Sequence, residues 1–140
     1  MEKEDFKLGD PDLFIDDAYV LKTEDYILII DKDIFDDDTV KYAEKITEKY
    51  KNNKDLVLNY ALDNRLRIFY GSSHDYSDQY IKDNIGRPQI KIYSKKDDEH
   101  PEWKFNYAGA FEFCESNLDE HVIIVEFCDD LIMNSVQIDG

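Results

Sequence analysis

The sequence predicts an α+β fold, in which two or three helices pack on one face of a largely antiparallel sheet of about five or six strands. Apolar runs at residues 26–30 and 122–127 are typical of central strands, and residues 38–51 carry the spacing of an amphipathic helix. The last third alternates apolar and polar residues between three hairpin-like connections. The expected order is ββ-αα(α)-ββββ, in one domain spanning residues 1–140.

Two strands are expected before the helices, at residues 18–21 and 26–30, separated by a turn at residues 23–25. The second strand is apolar on both faces, which favours a central position in the sheet. The preceding Asp10-Pro11-Asp12 is a turn signal, and Leu13-Phe14-Ile15 is expected to anchor the N-terminal segment to the body of the protein.

The first helix is expected over residues 38–51, with Asp36, Asp37 and Asp38 at its positively charged N-terminus. Its apolar side chains recur at spacings of three, three and four, which places them on one face; these are Val40, Ala43, Ile46 and Tyr50.

Residues 54–70 fit two structures, because Leu56, Tyr60 and Ala61 suit a helix while residues 65–69 alternate like a strand. We favour a second helix over residues 55–70 that stops at Gly71. A third, short helix is expected from Ser77 to residue 84, before Gly86.

Four strands are expected after the helices, at residues 89–94, 103–115, 122–127 and 132–138. Ala108-Gly109-Ala110 interrupts the alternation of the second, which predicts a β-bulge at these residues. The turns between these strands predict an antiparallel meander.

Charge is divided unevenly along the chain, whose net charge is −16. Residues 1–38 hold 14 acidic residues and 4 basic ones, residues 39–95 hold 7 and 11, and residues 96–140 hold 12 and 2. If the two acidic terminal thirds meet in the fold, they form a surface of one sign that attracts a basic partner.

The sequence argues against several classes of protein. The aspartates between Asp31 and Asp38 do not fit an EF-hand in either frame, because the ligand and glycine positions fall on Phe35, Asp36 and Asp38. The net charge opposes nucleic-acid binding. No run is long enough for a membrane helix, and the acidic N-terminus lacks a signal peptide, so we expect a cytoplasmic protein without metal or cofactor.

Two histidines lie near carboxylates or hydroxyl groups. His121 follows Asp119 and Glu120, and His74 lies among Ser72, Ser73 and Asp75. No catalytic motif surrounds either histidine, and we assign no catalytic residue. A small enzyme that uses His121 or His74 with nearby carboxylates is nevertheless one alternative function.

Residues 111–140 contain Phe111 and Phe113, then Leu118-Asp119-Glu120-His121 before an apolar strand, and end in Gly140. This segment resembles the closing strands of some small bacterial domains of unknown function. Those families include proposed immunity proteins, which protect a cell from its own polymorphic toxins. The resemblance implies a small, acidic, cytosolic binding protein and supplies no catalytic residue.

The sequence therefore favours a cytosolic, non-enzymatic protein that binds and neutralises a basic protein, such as a toxin nuclease. A structural or oligomerisation module is a further alternative. We expect the partner-binding residues among the acidic side chains of predicted loops. These residues are Asp31, Asp33, Asp36, Asp37, Asp38, Asp97, Asp98, Glu99, Asp119, Glu120, Asp129 and Asp130.

Overall fold

Seven strands form a single sheet in the computed structural model, which describes residues 1–140. Their order in the sheet follows their order in the sequence. They are β1 (Lys7–Asp10), β2 (Ile15–Lys22), β3 (Ile27–Asp31), β4 (Gln89–Lys95), β5 (Tyr107–Phe113), β6 (Val122–Cys128) and β7 (Ile132–Asp139). The predicted α+β class and the largely antiparallel sheet are confirmed.

One pair of neighbouring strands, β3 and β4, is parallel, and all others are antiparallel. All four α-helices lie in the connection between these two strands: α1 (Asp37–Asn52), α2 (Lys54–Ala61), α3 (Arg67–His74) and α4 (Asp78–Asn84). The helical connection returns the chain to the end of the sheet where β3 begins, so that β4 runs in the same direction.

The predicted strand number and order were wrong. Three strands precede the helices, because β1 pairs with β2 through residues that lack an alternating pattern and include Gly9. The strand expected over residues 103–115 is shorter, and its residues 108–110 pair regularly. The irregularity lies in the neighbouring strand β4, between Ile92 and Ser94.

Helix α1 packs its predicted apolar face on the sheet. The side chain of Asp36 accepts a hydrogen bond from the backbone N–H of Thr39 at 2.8 Å, which caps the helix. Val40, Ala43 and Ile46 are buried. They join a core with Phe111 and with the other side chains that β3 to β7 direct toward the helices.

Residues 54–74 form one continuous helical segment, which confirms the helix predicted over most of this region. Its middle, Leu62–Leu66, is a π-helical turn between α2 and α3. The side-chain amide of Asn64 donates to the carbonyl oxygen of Tyr60 at 2.8 Å, which satisfies a carbonyl at this irregular turn. The segment continues past Gly71 and ends at Asp75, which has a left-handed conformation.

The third helical segment, α4, begins and ends as predicted. The hydroxyl of Ser77 accepts a hydrogen bond from the backbone N–H of Tyr80 at 3.1 Å. Gly86 follows the helix with a φ of +79°. With α2 and α3 counted as one, the α-helices form three segments, which agrees with the two or three helices predicted.

The sheet face away from the helices carries a smaller apolar cluster of Ala18, Val20, Ile27 and Ile29. Leu13 and Ile15 pack against this cluster and so anchor the segment before β2. Phe14 between them does not, because its side chain is 96% exposed.

Candidate functional site

Four chain segments meet at one end of the sheet. The parallel strands β3 and β4 end there, and the antiparallel pairing makes β1 and β6 end there too. The acidic end, as we call it, consists of the connections that leave these strands and the strand residues next to them, namely residues 10–17, 31–38, 95–106 and 129–131. They hold fifteen acidic residues and four lysines.

Hydrogen bonds join three of these segments, residues 31–38, 95–106 and 129–131, to one another and to helix α1. The ammonium group of Lys95 donates to the Asp36 carboxylate at 2.7 Å. The Asp129 carboxylate accepts the backbone N–H of Asn106 at 2.7 Å, and the Tyr42 hydroxyl donates to the Asp129 carbonyl oxygen at 2.7 Å. The fourth segment, residues 10–17, adjoins them through the pairing of Ala18 with Asp31.

Ten of the twelve predicted partner-binding residues lie at the acidic end, and half of these ten have structural partners. Asp31 accepts the backbone N–H of Asp33 at 3.2 Å, and Asp97 accepts that of Glu99 at 3.0 Å. Asp36 and Asp129 hold the contacts described above, and Asp130 forms ion pairs with two lysines of α1, Lys45 and Lys49. These five carboxylates therefore stabilise the structure of the acidic end.

The pKa values of three of these aspartates, Asp36, Asp97 and Asp130, are lowered, and that of Asp97 is lowered chiefly by its hydrogen bond with His100. Partial burial disfavours the charged form of Asp36, but hydrogen bonds from Lys95 and Thr39 outweigh it and lower the pKa. Lys49 and Lys45 lower the pKa of Asp130 through hydrogen bonds and charge. Asp36 and Asp130 therefore remain negative at neutral pH, although lysines offset their charge.

The other five predicted residues of the acidic end are exposed and form no ion pair; these are Asp33, Asp37, Asp38, Asp98 and Glu99. Asp37 and Asp38 lie in the first turn of α1, where the helix dipole favours negative charge. The five carboxylates are available to a cationic partner.

Sequence reasoning missed Asp12, Asp16, Asp17 and Phe14, which also belong to the acidic end. The pairing of β2 with β3 places Ala18 opposite Asp31, so the residues just before Ala18 lie beside the loop that follows β3. The predicted pairing of residues 18–21 with residues 26–30 was the sequence signal that could have placed the three aspartates at this end of the sheet.

Phe14 is the most exposed large apolar side chain at this end of the sheet. Its backbone has a φ of +58°, in the left-handed region that disfavours a residue with a Cβ atom. The side chain borders an open depression of about 540 Å³, whose lining includes Leu8, Ile15 and Asp16. An aromatic ring therefore stands among carboxylates at the surface.

His100 at the acidic end is expected to titrate above its ordinary pKa. Its Nδ1 atom lies 2.9 Å from the Asp97 carboxylate, which raises the pKa of His100 by hydrogen bonding and charge. The stabilisation from this pair is fully present below the unfolded pKa of about 6.5 and is lost as pH rises through the folded value. We expect Asp97→Asn to lower the pKa of His100 in an NMR titration. Asp98→Asn removes a neighbouring charge and should leave that pKa nearly unchanged.

The remaining two predicted residues, Asp119 and Glu120, lie at the opposite end of the sheet, in the β5–β6 connection. The Asp119 carboxylate accepts hydrogen bonds from the Tyr70 hydroxyl at 3.0 Å and from the backbone N–H of His121 at 3.0 Å. His121 Nδ1 is 2.9 Å from its other oxygen. Burial opposes ionisation of Asp119, but these hydrogen bonds lower its pKa. Asp119 therefore ties this connection to helix α3.

The second histidine of the enzyme alternative, His74, lies on the other side of this cluster. Its ring is 5.6 Å from that of Tyr70, and its Nδ1 atom is 2.6 Å from the hydroxyl oxygen of Ser73. None of the five main cavities is lined by a histidine. No three His, Cys, Asp or Glu side chains are grouped to hold a metal ion.

None of the helices is both long and apolar enough to cross a membrane. Comparisons of the chain with protein-family models, with curated proteins and with solved structures found no match. The geometry of the surface is therefore the basis for a functional proposal.

Proposed function

We propose that the protein binds and neutralises a basic protein, and that the acidic end is its binding surface. The proposed partner is a toxin nuclease or another enzyme that handles nucleic acid, so the protein would act as an immunity protein or inhibitor in the cytoplasm. The observation that carries this proposal is the convergence of four acidic connections at one end of the sheet.

The charge at the acidic end supports recognition of a cationic surface. Fifteen acidic residues and four lysines occupy the four segments, and five of the predicted carboxylates have no internal cation to neutralise them. The negative electrostatic field of these carboxylates steers an oppositely charged protein during encounter and raises the association rate. Because the field is screened by salt, binding should weaken as ionic strength rises.

The chemistry of nucleases makes them fitting partners. An enzyme that binds a phosphate backbone presents lysine and arginine side chains in its cleft. Carboxylates on loops can occupy the same positions as phosphate groups, and the body of the sheet then blocks access to the cleft. The proposed mechanism is therefore electrostatic attraction followed by steric occlusion, without a chemical reaction.

Phe14 supplies the apolar part of the proposed interface. Aromatic side chains at the centre of an interface commonly account for much of the binding energy, whereas exposed charges mainly affect the rate of association. An exposed ring with Asp12, Asp16 and Asp17 nearby in sequence suits a partner pocket that is apolar and bordered by basic residues.

The test of this proposal is capture from a lysate of the source cell on the immobilised protein, at about 50 mM and about 500 mM salt. We expect one basic protein to be retained at the lower salt concentration and depleted at the higher one. Retention of no protein at either concentration would contradict the proposal, and tight retention that is insensitive to salt would contradict its electrostatic basis.

A further inference from the structure

Strand β7 leaves one side of its backbone unpaired at the edge of the sheet. It pairs with β6 on one side only, over Ile132–Asp139, and the register of this pairing shifts at Asn134. The N–H and C=O groups of alternate residues on its outer side are a template for a further strand. Ile132 at the start of β7 is 58% exposed.

The sequence of this edge is unusual for the chain. Charged residues make up 36% of the protein, yet residues 131–138 contain none, and no other uncharged stretch is as long. The strand also lacks proline and glycine. Edge strands that stay single usually carry such charges or prolines, which discourage pairing with another chain.

The opposite edge of the same sheet shows these protective features. Strand β1 has only four residues, of which Lys7 and Asp10 are charged. Its pairing with β2 is irregular between Leu8 and Asp10, and Gly9 has a φ of +78°. Strand β7 also has an irregularity, at Asn134, but it is twice as long as β1 and carries no charge from Ile132 to Ile138, so the two edges differ in their protection.

The distribution of charge favours β7 as the place where two copies of the protein make contact. Each copy carries a net charge of −16, so two copies repel each other over most of their surface. They approach with the least repulsion where both surfaces are uncharged, and β7 is such a surface on each copy. At physiological salt, charges more than about 8 Å from the contact are largely screened.

We propose that β7 pairs in an antiparallel arrangement with β7 of a second copy, so that the two sheets of seven strands form one continuous sheet across a two-fold axis. Antiparallel pairing about the middle of the strand places Asp139 near the start of the other β7, away from the other Asp139. A parallel arrangement in register would bring these two carboxylates together, which is unfavourable.

The arrangement leaves both acidic ends accessible. The two acidic ends point in opposite directions, because each lies beyond one end of its sheet and the two copies run antiparallel. Pairing of β7 between two copies involves only the edge strand and the charge distribution, and so does not require the proposed function.

The test is sedimentation analysis of the purified protein from about 5 µM to about 500 µM, since dimerisation depends on concentration. We expect a transition to twice the chain mass of 16.6 kDa. Asn134→Asp adds an isosteric negative charge to exposed β7 and should weaken the dimer at least about tenfold. Asn59→Asp adds the same charge on the exposed face of α2 and should leave the dimer unchanged.

Amide hydrogen exchange provides an independent measurement. The outward amides of residues 132–138 should exchange slowly at high concentration and rapidly at low concentration. A protein that stays monomeric at the highest concentration would overturn the inference. It would also be overturned by a dimer that tolerates Asn134→Asp, or by exchange of β7 that does not change with concentration.

Discussion

Replacing Gly109 by alanine is expected to destabilise the fold by about 3 kcal/mol or more. A Cβ atom at Gly109 would lie 2.1 Å from the carbonyl oxygen of Lys91 on β4 and 2.9 Å from the ring of Phe127 on β6. Neither contact is relieved by a small rotation, because one partner is backbone and the other is fully buried. Strands β4 and β5 would have to separate at the middle of the sheet.

Gly71 offers a matched control for this substitution. It lies in helix α3, and a Cβ atom there would have no neighbour within 4 Å. Gly71→Ala should therefore leave stability unchanged or raise it by up to about 1 kcal/mol, because alanine favours the helix. Urea unfolding measures both variants. Equal midpoints for Gly109→Ala and Gly71→Ala would contradict the packing described for the centre of the sheet.

Replacing Phe14 by alanine is expected to weaken binding of the proposed partner by about 2 kcal/mol, or roughly 30-fold in Kd. The reason is that Phe14 is 96% exposed and contributes little to folding, so its ring is available to fill a pocket on the partner. The measurement is calorimetric titration with the basic protein that the immobilised chain retains.

Two further variants separate binding from folding. Ile68→Ala removes another exposed apolar side chain, 75% exposed on helix α3, and should leave the affinity unchanged. Phe14→Gly should raise the melting temperature, because glycine adopts a φ of +58° without penalty, yet it should bind as weakly as Phe14→Ala. Full affinity of either Phe14 variant would remove this residue from the interface.

Local sequence signals predicted most of the helices and central strands. Helix α1 was predicted because its cap and its apolar spacing both lie within about 16 residues of chain, and β3 because it is a continuous apolar run. Strand β1 was missed because four residues with a glycine carry no periodicity. Its existence depends on pairing with β2, and the parallel pairing of β3 with β4 depends on the path of the whole helical connection.

The candidate surface was predictable in composition but only partly in geometry. Acidic residues in loops were recognisable, yet the sequence did not say which end of the sheet each loop would reach. Asp119 and Glu120 thus lie away from the other ten residues. Nor did the sequence show which aspartates have a structural role. Asp129 accepts a backbone N–H group from Asn106, 23 residues away in the chain, whereas Asp98 is exposed.

The most direct test of the acidic end compares two triple variants of equal net charge. One removes three exposed, unpaired carboxylates of the acidic end and the other removes three elsewhere. The first is Asp33→Asn, Asp98→Asn and Glu99→Gln, and the second is Glu24→Gln, Glu48→Gln and Asp75→Asn.

The affinity of both triple variants for the retained basic protein is then measured at about 50 mM and about 500 mM salt. We expect the first to bind about tenfold more weakly than the unmodified protein at low salt and to depend less on salt. The second should bind like the unmodified protein. Equal losses in the two variants would show that net charge alone attracts the partner, and would contradict the assignment of binding to the acidic end.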